Sequence, residues 1–325
     1  MPAEIAAFQS HPLTDALSCH PELVEGLSKG RRTRSAKLIA DWLDSLDVAQ
    51  DTRTAYKRSA ELFADWLAEH QPQALTPAVI REWRSSLDGS PNTVNLRLSA
   101  VRSFLDWAHA AGHLPLNPAL GVKGAKRSGT TRRHLRNELT AGEVKAVLAT
   151  CGDDCCGVRD RAIISLMAYT ALRTVEVHRA DVEDLVTRQG RLTLWVQGKG
   201  SQDKDDFVVL PTPAETALRR WLAVRPGPEK GPLFVSLSPR NYGERLSRPA
   251  IRATIKDRYK QGGVVGEGKT THSLRHSAIS QAIRGGATPT QARAMARHAS
   301  LDTTLVYYHE LGRLTEPAED LISYD

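Results

Sequence analysis

A chain of 325 residues is long enough for two separate cores, and its 41% apolar and 25% charged residues are ordinary for a globular protein in water. The formal net charge of +7 at pH 7 suits a polyanionic partner without requiring one. A secreted or membrane-spanning protein is not expected. The start, Met1-Pro2-Ala3-Glu4, has no basic stretch ahead of an apolar one, and the most apolar run, Ala162 to Leu172, is far shorter than a span and carries Ser165 and Thr170. It reads as a buried helix in a cytoplasmic protein.

Residues 1 to 33 mix Pro, Ser, His and Gly without a sustained period and run into the bases Lys29, Arg31, Arg32 and Arg34. A flexible tail is expected, either simply solvated or reaching a nucleic-acid backbone. Residues 34–118 read as helical. Leu38, Trp42 and Leu46 recur at helix spacing, as do Leu62, Trp66 and Leu67. Ser90-Pro91 breaks the pattern, and a further helix runs from about Thr93 to Ala111 on Val94, Leu98, Val101, Leu105 and Trp107, ended by Gly112 and Pro115. The result is a bundle of about four helices.

Residues 119–137 hold Gly121, Lys123, Gly124, Lys126, Arg127, Ser128, Gly129, Arg132 and Arg133, with too few apolar residues to pack a core. They predict a basic linker between domains. The second domain, 138–325, opens at Thr140, with Glu143 placed for a capping box. Cys151, Cys155 and Cys156 form half a metal-ligand pattern with no second pair. No metal is expected there, only a turn between helices at the start of a core. With Cys19 these are the chain's four cysteines, and no disulfide is expected. Leu192, Leu194 and Val196 alternate with Thr193 and Trp195, and Phe207 to Leu210 is a second apolar run. Gly198 to Asp206 between them predicts the tip of a β-hairpin. Helices follow at Ala214 to Val224 and Pro249 to Lys260, and two more in the last fifty residues.

Five short runs carry chemistry in this second domain: Thr170 to Glu176 (TALRTVE), Gly198 to Gly200 (GKG), His272 to His276 (HSLRH), Ala296 to His298 (ARH) and Thr303 to His309 (TTLVYYH). Moving a phosphodiester requires groups that meet the negative charge growing on its non-bridging oxygens. Arg173 and Arg275 suit this, because a guanidinium pairs two donors with phosphate oxygens. Lys199, between two glycines, can protonate a leaving oxygen, and His272 and His298 can shuttle protons or donate to phosphate. Tyr307 can form a covalent phosphoester. Each element alone is commonplace; a turn lysine, a packed tyrosine or a surface Arg–Glu pair would explain it. Their occurrence together and in order is what carries weight.

The runs HSLRHS and ARHASLDTTLVYYH resemble the tyrosine recombinase (phage integrase) family, close to its Xer-type members. The family pattern is Arg, Lys, His-x-x-Arg, His and Tyr, with the last His nine residues before the Tyr, as His298 stands to Tyr307. The resemblance covers about residues 36–325 and implies that Arg173, Lys199, His272, Arg275, His298 and Tyr307 take the catalytic roles. It implies a mainly α fold: an N-terminal helical-bundle, SAM-like core-binding domain, then a C-terminal helical catalytic domain with a small antiparallel sheet, the DNA breaking-rejoining fold, the two closing as a C-shaped clamp. It also implies double-stranded DNA as partner and a 3′-phosphotyrosyl intermediate. Neither metal nor nucleotide cofactor is implied. A homotetramer would act on two synapsed sites, from a monomer or dimer off DNA.

The chain departs from the family pattern in several places. Ala171 stands for a usual glycine, a change that a helix should tolerate, and Ala296-Arg297 stand for Leu-Gly, so that Arg297 either disturbs His298 or adds a phosphate contact. The hairpin after Lys199 is longer and carries Asp203, Asp205 and Asp206, which should face solvent or a neighbouring protomer. Tyr308 follows Tyr307, and the two point about 100° apart on a helix, so only one can be the nucleophile. Arg53, Lys57, Asn95, Arg97 and Arg102, away from the apolar stripe, are the candidates for contact with DNA backbone. Leu311, Leu314, Leu321 and Ile322 can dock onto a neighbour or fold back on their own core. Two other readings stand beside strand exchange: a type IB topoisomerase-like relaxation enzyme and a non-catalytic DNA-binding regulator.

Overall fold

The computed structural model describes residues 32–126, 137–198, 203–266, 268–315 and 318–322. It divides into two compact units, Met1–Ser128 and Gly129–Asp325. The described residues are mainly helical with one three-stranded antiparallel sheet. None of their helices is long and apolar enough to cross a membrane.

The first unit holds α1 (Arg32–Asp44), α2 (Gln50–His70), α3 (Pro77–Ser86) and α4 (Pro91–Ala110). Thr76 and Ser90 cap α3 and α4, each accepting a backbone N–H and each followed by proline at the first helical position, where no N–H is missed. Ser90-Pro91 is therefore a helix start. Trp42, Phe63, Trp83, Leu98 and Phe104 are buried together, with Trp42 against Phe104 and Phe63 against Trp83 edge to face. Phe63 takes the core position on α2, and Leu62, one residue earlier on the helix, is turned out to 38% exposure.

The proposed linker begins inside this core. Ala119 and Val122 are buried. Asn95 receives the Ala125 N–H (2.8 Å) and donates to the Ala125 carbonyl (3.1 Å), and Arg102 donates to the carbonyls of Ala119 (3.2 Å) and Val122. Lysine and glycine content hid a segment held by side chains of α4. Arg127 and residues through 136 lie outside the described residues, as does the tail to residue 31.

The second unit opens with α5 (Ala141–Ala149), capped by the reciprocal Thr140–Glu143 box. The buried α6 (Cys155–Thr170) packs against α8 (Thr212–Val224) and α10 (Thr271–Arg284). Between them come α7 (Thr174–Arg179), β1 (Leu185–Arg188), β2 (Arg191–Val196) and β3 (Asp206–Val209); α9 (Arg248–Gln261) follows α8. β2 is central, pairing Leu194 with Leu185 and with Val208. The first strand went unread in the sequence because, after half-buried Leu185, its side chains are exposed and do not alternate. Arg258 of α9 and Arg159 of α6 converge on buried Asp160, donating at 2.8–3.1 Å. Three helices close the chain: α10, α11 (Pro289–Ala296) and α12 (Asp302–Thr315), each packed on the other two.

Candidate active site

Two left-handed residues shape the site. α6 stops at Thr170 because Ala171 turns to φ 53°, and α11 stops at Ala296 because Arg297 does the same. Ala171 is thus a helix terminator, not a helix residue, and the conformation costs an alanine about 1 kcal/mol that glycine would not pay. The two turns throw the carbonyls of Ala171 and Ala296 inward, and Arg275, almost wholly buried on α10, donates to both. Burial, with Arg173 and Arg297 close by, pushes the Arg275 pKa down to about 9, so it is still cationic at neutral pH.

Arg173 follows the first turn as the N-cap of α7. Its backbone N–H and guanidinium both donate to Glu176, at 2.7 and 2.8 Å, and a second guanidinium nitrogen reaches the Arg297 carbonyl at 3.3 Å. The Glu176 side chain is fully buried, so this is no surface ion pair. Burial alone would raise its pKa; Arg297 and Arg173 outweigh that and hold the carboxylate below its ordinary 4.5. Arg297 is engaged within the protein. Its side chain turns inward, 4% exposed, onto Glu176 at 2.7 Å.

His272 stands exposed in the first turn of α10. Desolvation and the surrounding Arg275, Arg173 and Arg252 lower its pKa below 6.5, which leaves the imidazole neutral at pH 7. Tyr307 lies on α12 at 3% exposure, packed with Ala171, Ala278, Ile279 and Ala296. Its hydroxyl is hydrogen-bonded to Nδ1 of His276. The His298 ring lies nearly parallel to it, centroids 6.4 Å apart, and His298 Nδ1 bonds Thr304 Oγ1 at 2.9 Å. Tyr308 points elsewhere, its hydroxyl donating to the Ala287 carbonyl.

Five of the six residues singled out in sequence, Arg173, His272, Arg275, His298 and Tyr307, therefore share one neighbourhood. Lys199 lies outside the described residues; Arg179 of α7 donates to the carbonyl of Gly198 just before it (3.2 Å). Sequence reasoning missed His276 as a site residue. The signal was present, since His272 and His276 stand one helical turn apart with Arg275 beside them. Glu176 and Arg297 were each noticed, but their pairing gave no signal, because burial of the ion pair depends on two turns distant in sequence.

Asp203, Asp205 and Asp206 are all exposed to solvent, and Asp206 also borders the site. It lines a shallow depression with Arg293, Arg297 and His298. Lys204 pairs with Asp181 (2.7 Å) and Asp184 (2.6 Å), tying the return of the hairpin to the turn before β1. Leu311 is buried within its own chain, whereas Leu321 and Ile322 are exposed; nothing is described of the Leu314 side chain. In the first unit, each DNA-contact candidate has a partner: Arg53 with Asp44, Lys57 with Glu61 (3.9 Å), and Arg97 with the Asp88 carbonyl (3.0 Å). Asn95 and Arg102 are the residues that hold the segment after α4.

A phenol flanked by two imidazoles, with a buried guanidinium nearby and a second beside that one, on a helical domain that follows a four-helix bundle, points to the class of enzymes that transfer a DNA phosphodiester to their own tyrosine. Two family models match the chain: "Phage integrase family" over residues 137–312 and "Phage integrase, N-terminal SAM-like domain" over residues 39–112. The tyrosine recombinase XerC of Yersinia pestis is 34% identical over 236 residues, 71% of this chain and 72% of its own. That of Thermodesulfovibrio yellowstonii is 32% identical over 254 residues, 74% and 80%. Among solved structures, the XerH site-specific recombinase in a post-cleavage complex with difH substrate superposes with TM-score 0.69 at 18% identity, covering 88% of this chain and 85% of that one. A lambda integrase tetramer bound to a Holliday junction gives 0.62 at 19%, covering 82% and 77%. The chain belongs to the phage integrase family, the tyrosine recombinases, and site-specific recombination is its activity; the topoisomerase and regulator readings are not favoured.

Proposed function

We propose that this recombinase cuts and rejoins DNA by way of a covalent bond to Tyr307. The phenol oxygen attacks the scissile phosphorus, the bond to the 5′ oxygen breaks, and the 3′ phosphate stays on the tyrosine. The 5′ hydroxyl of a partner duplex then reverses the step. The observation that carries this reading is the Tyr307 hydroxyl bound to His276, with His298 along its ring and Arg275 nearby, itself next to Arg173.

The roles follow from the placement. Arg173 and Arg275 hold the non-bridging oxygens and meet their growing charge; one preorganised donor of this sort is worth about 3 kcal/mol of barrier. His276 takes the phenol proton. His272, neutral before DNA arrives, donates to the phosphate, and an arriving anion among three guanidiniums favours its protonation. Lys199 protonates the leaving 5′ oxygen. His298 fixes the ring of the nucleophile. Because Tyr307 is covered, attack requires α12 to shift. The phosphotyrosyl bond conserves the energy of the bond cut, so no ATP is needed, and the two guanidiniums meet the charge that a divalent metal would otherwise meet. Four protomers on two synapsed duplexes of DNA in the cytoplasm exchange one pair of strands at a time.

A nicked suicide duplex built from DNA flanking the gene tests this. Wild-type protein should form a denaturant-resistant adduct in excess EDTA, Tyr307→Phe should form none, and Tyr308→Phe should retain it. Loss of the adduct in EDTA with recovery in magnesium would sink the metal-free chemistry.

A further inference from the structure

Arg297 sits where an L-residue pays for its conformation, φ 53° and ψ 50°. Its whole side chain is nevertheless engaged. It donates to Glu176 Oε2 at 2.7 Å and Oε1 at 3.4 Å, to the Met295 carbonyl at 2.7 Å and to the Ala171 carbonyl at 3.3 Å. Both carboxylate oxygens are also claimed by Arg173, through the backbone N–H and one guanidinium nitrogen. The Arg297 guanidinium is 4% exposed and spends its donors on the Glu176 carboxylate and two carbonyls.

We infer that Arg297 is a positioning residue for strand cleavage: by sharing the Glu176 carboxylate it keeps Arg173 from being drawn wholly onto that carboxylate, and it keeps the site net cationic toward the scissile phosphate. This rests on the strand-transfer reading above. Without Arg297, one buried carboxylate faces Arg173 alone, and a guanidinium that satisfies both carboxylate oxygens has its paired donors turned away from DNA. The Ala171 carbonyl also matters. Arg297 and Arg275 donate to it together, so the turn that ends α6 holds these two buried guanidiniums in register.

Arg297→Gly is the informative change, since glycine accepts φ 53° without strain. Single-turnover adduct formation on the suicide duplex should fall about tenfold or more, with duplex affinity held within about twofold. Arg297→Lys should recover part of the rate. Glu176→Gln with Arg297→Gly should be no slower than Glu176→Gln alone, because the arginine acts through that carboxylate. A neutral methylphosphonate at the scissile position should narrow the gap between Arg297→Gly and wild type. Equal rates in Arg297→Gly and wild type, multiplying losses in the double variant, or an unchanged gap on the methylphosphonate would each overturn the assignment while leaving Tyr307 chemistry intact. A wild-type protein that forms no adduct would remove the strand-transfer reading and this inference with it.

Discussion

At the scale of single residues, the site is built from conformations that side chains would not choose alone. Ala171 and Arg297 both adopt the left-handed region, and the carbonyls of Ala171 and Ala296 at these turns meet the buried Arg275 guanidinium. Tyr307 and Tyr308 are adjacent in sequence and diverge in partner, one with His276 and the other with the Ala287 carbonyl. If His276 accepts the phenol proton, His276→Phe should slow single-turnover cleavage by about 10²–10⁴ and remove a limb of the pH–rate profile; a rate near wild type would assign the contact to packing. Glu176 gives a pH signature of stability. Its folded pKa is lowered, so its contribution is complete above its ordinary 4.5 and is lost as pH falls through the folded value. Urea midpoints measured from neutral to acid pH should therefore fall below about pH 4.5 more steeply for wild type than for Glu176→Gln.

At the scale of elements, chain breaks and apolar periods were readable, and long-range pairing was not. Thr140–Glu143 signals its helix because both halves of the box lie within one turn. Ser90-Pro91 reads equally as a stop or a start; only the Ser90 hydroxyl on the Thr93 N–H decides for a start. The segment after α4 passed for linker because its anchors, Asn95 and Arg102, look from sequence like solvated polar residues on a helix face. β1 is held by pairing with β2 and by no pattern of its own. The ion cluster on Asp160 joins α6 to α9 across 98 positions in the chain, so nothing local announces it. Asp160→Ala leaves two guanidiniums around a vacated, buried acceptor and should cost about 3–5 kcal/mol in equilibrium denaturation. A loss below about 1 kcal/mol would mark the cluster as solvated.

For the molecule as a whole, the family was legible because its motif residues are chemically distinctive and spaced by helical geometry. Membership of the phage integrase family then rests on matches over both units. The positive charge that opened the reading is compatible with DNA binding through phosphate contacts, and such binding weakens linearly in log salt. With about 6–10 phosphates contacted, affinity should drop about 10³–10⁵ between roughly 50 and 200 mM salt; a shallow slope in a fluorescence anisotropy titration would contradict a backbone-dominated interface. Lys57→Ala, at an exposed position paired only at 3.9 Å, should lower that slope by about one if it meets a phosphate.

The central claim is that one phenol becomes joined to the end of a DNA strand. Digesting the trapped adduct with nuclease and protease and sequencing the modified peptide by mass spectrometry tests it directly. The expected result is a nucleotide joined through its 3′ phosphate to Tyr307. A nucleotide on any other residue, or joined through its 5′ phosphate, would contradict it.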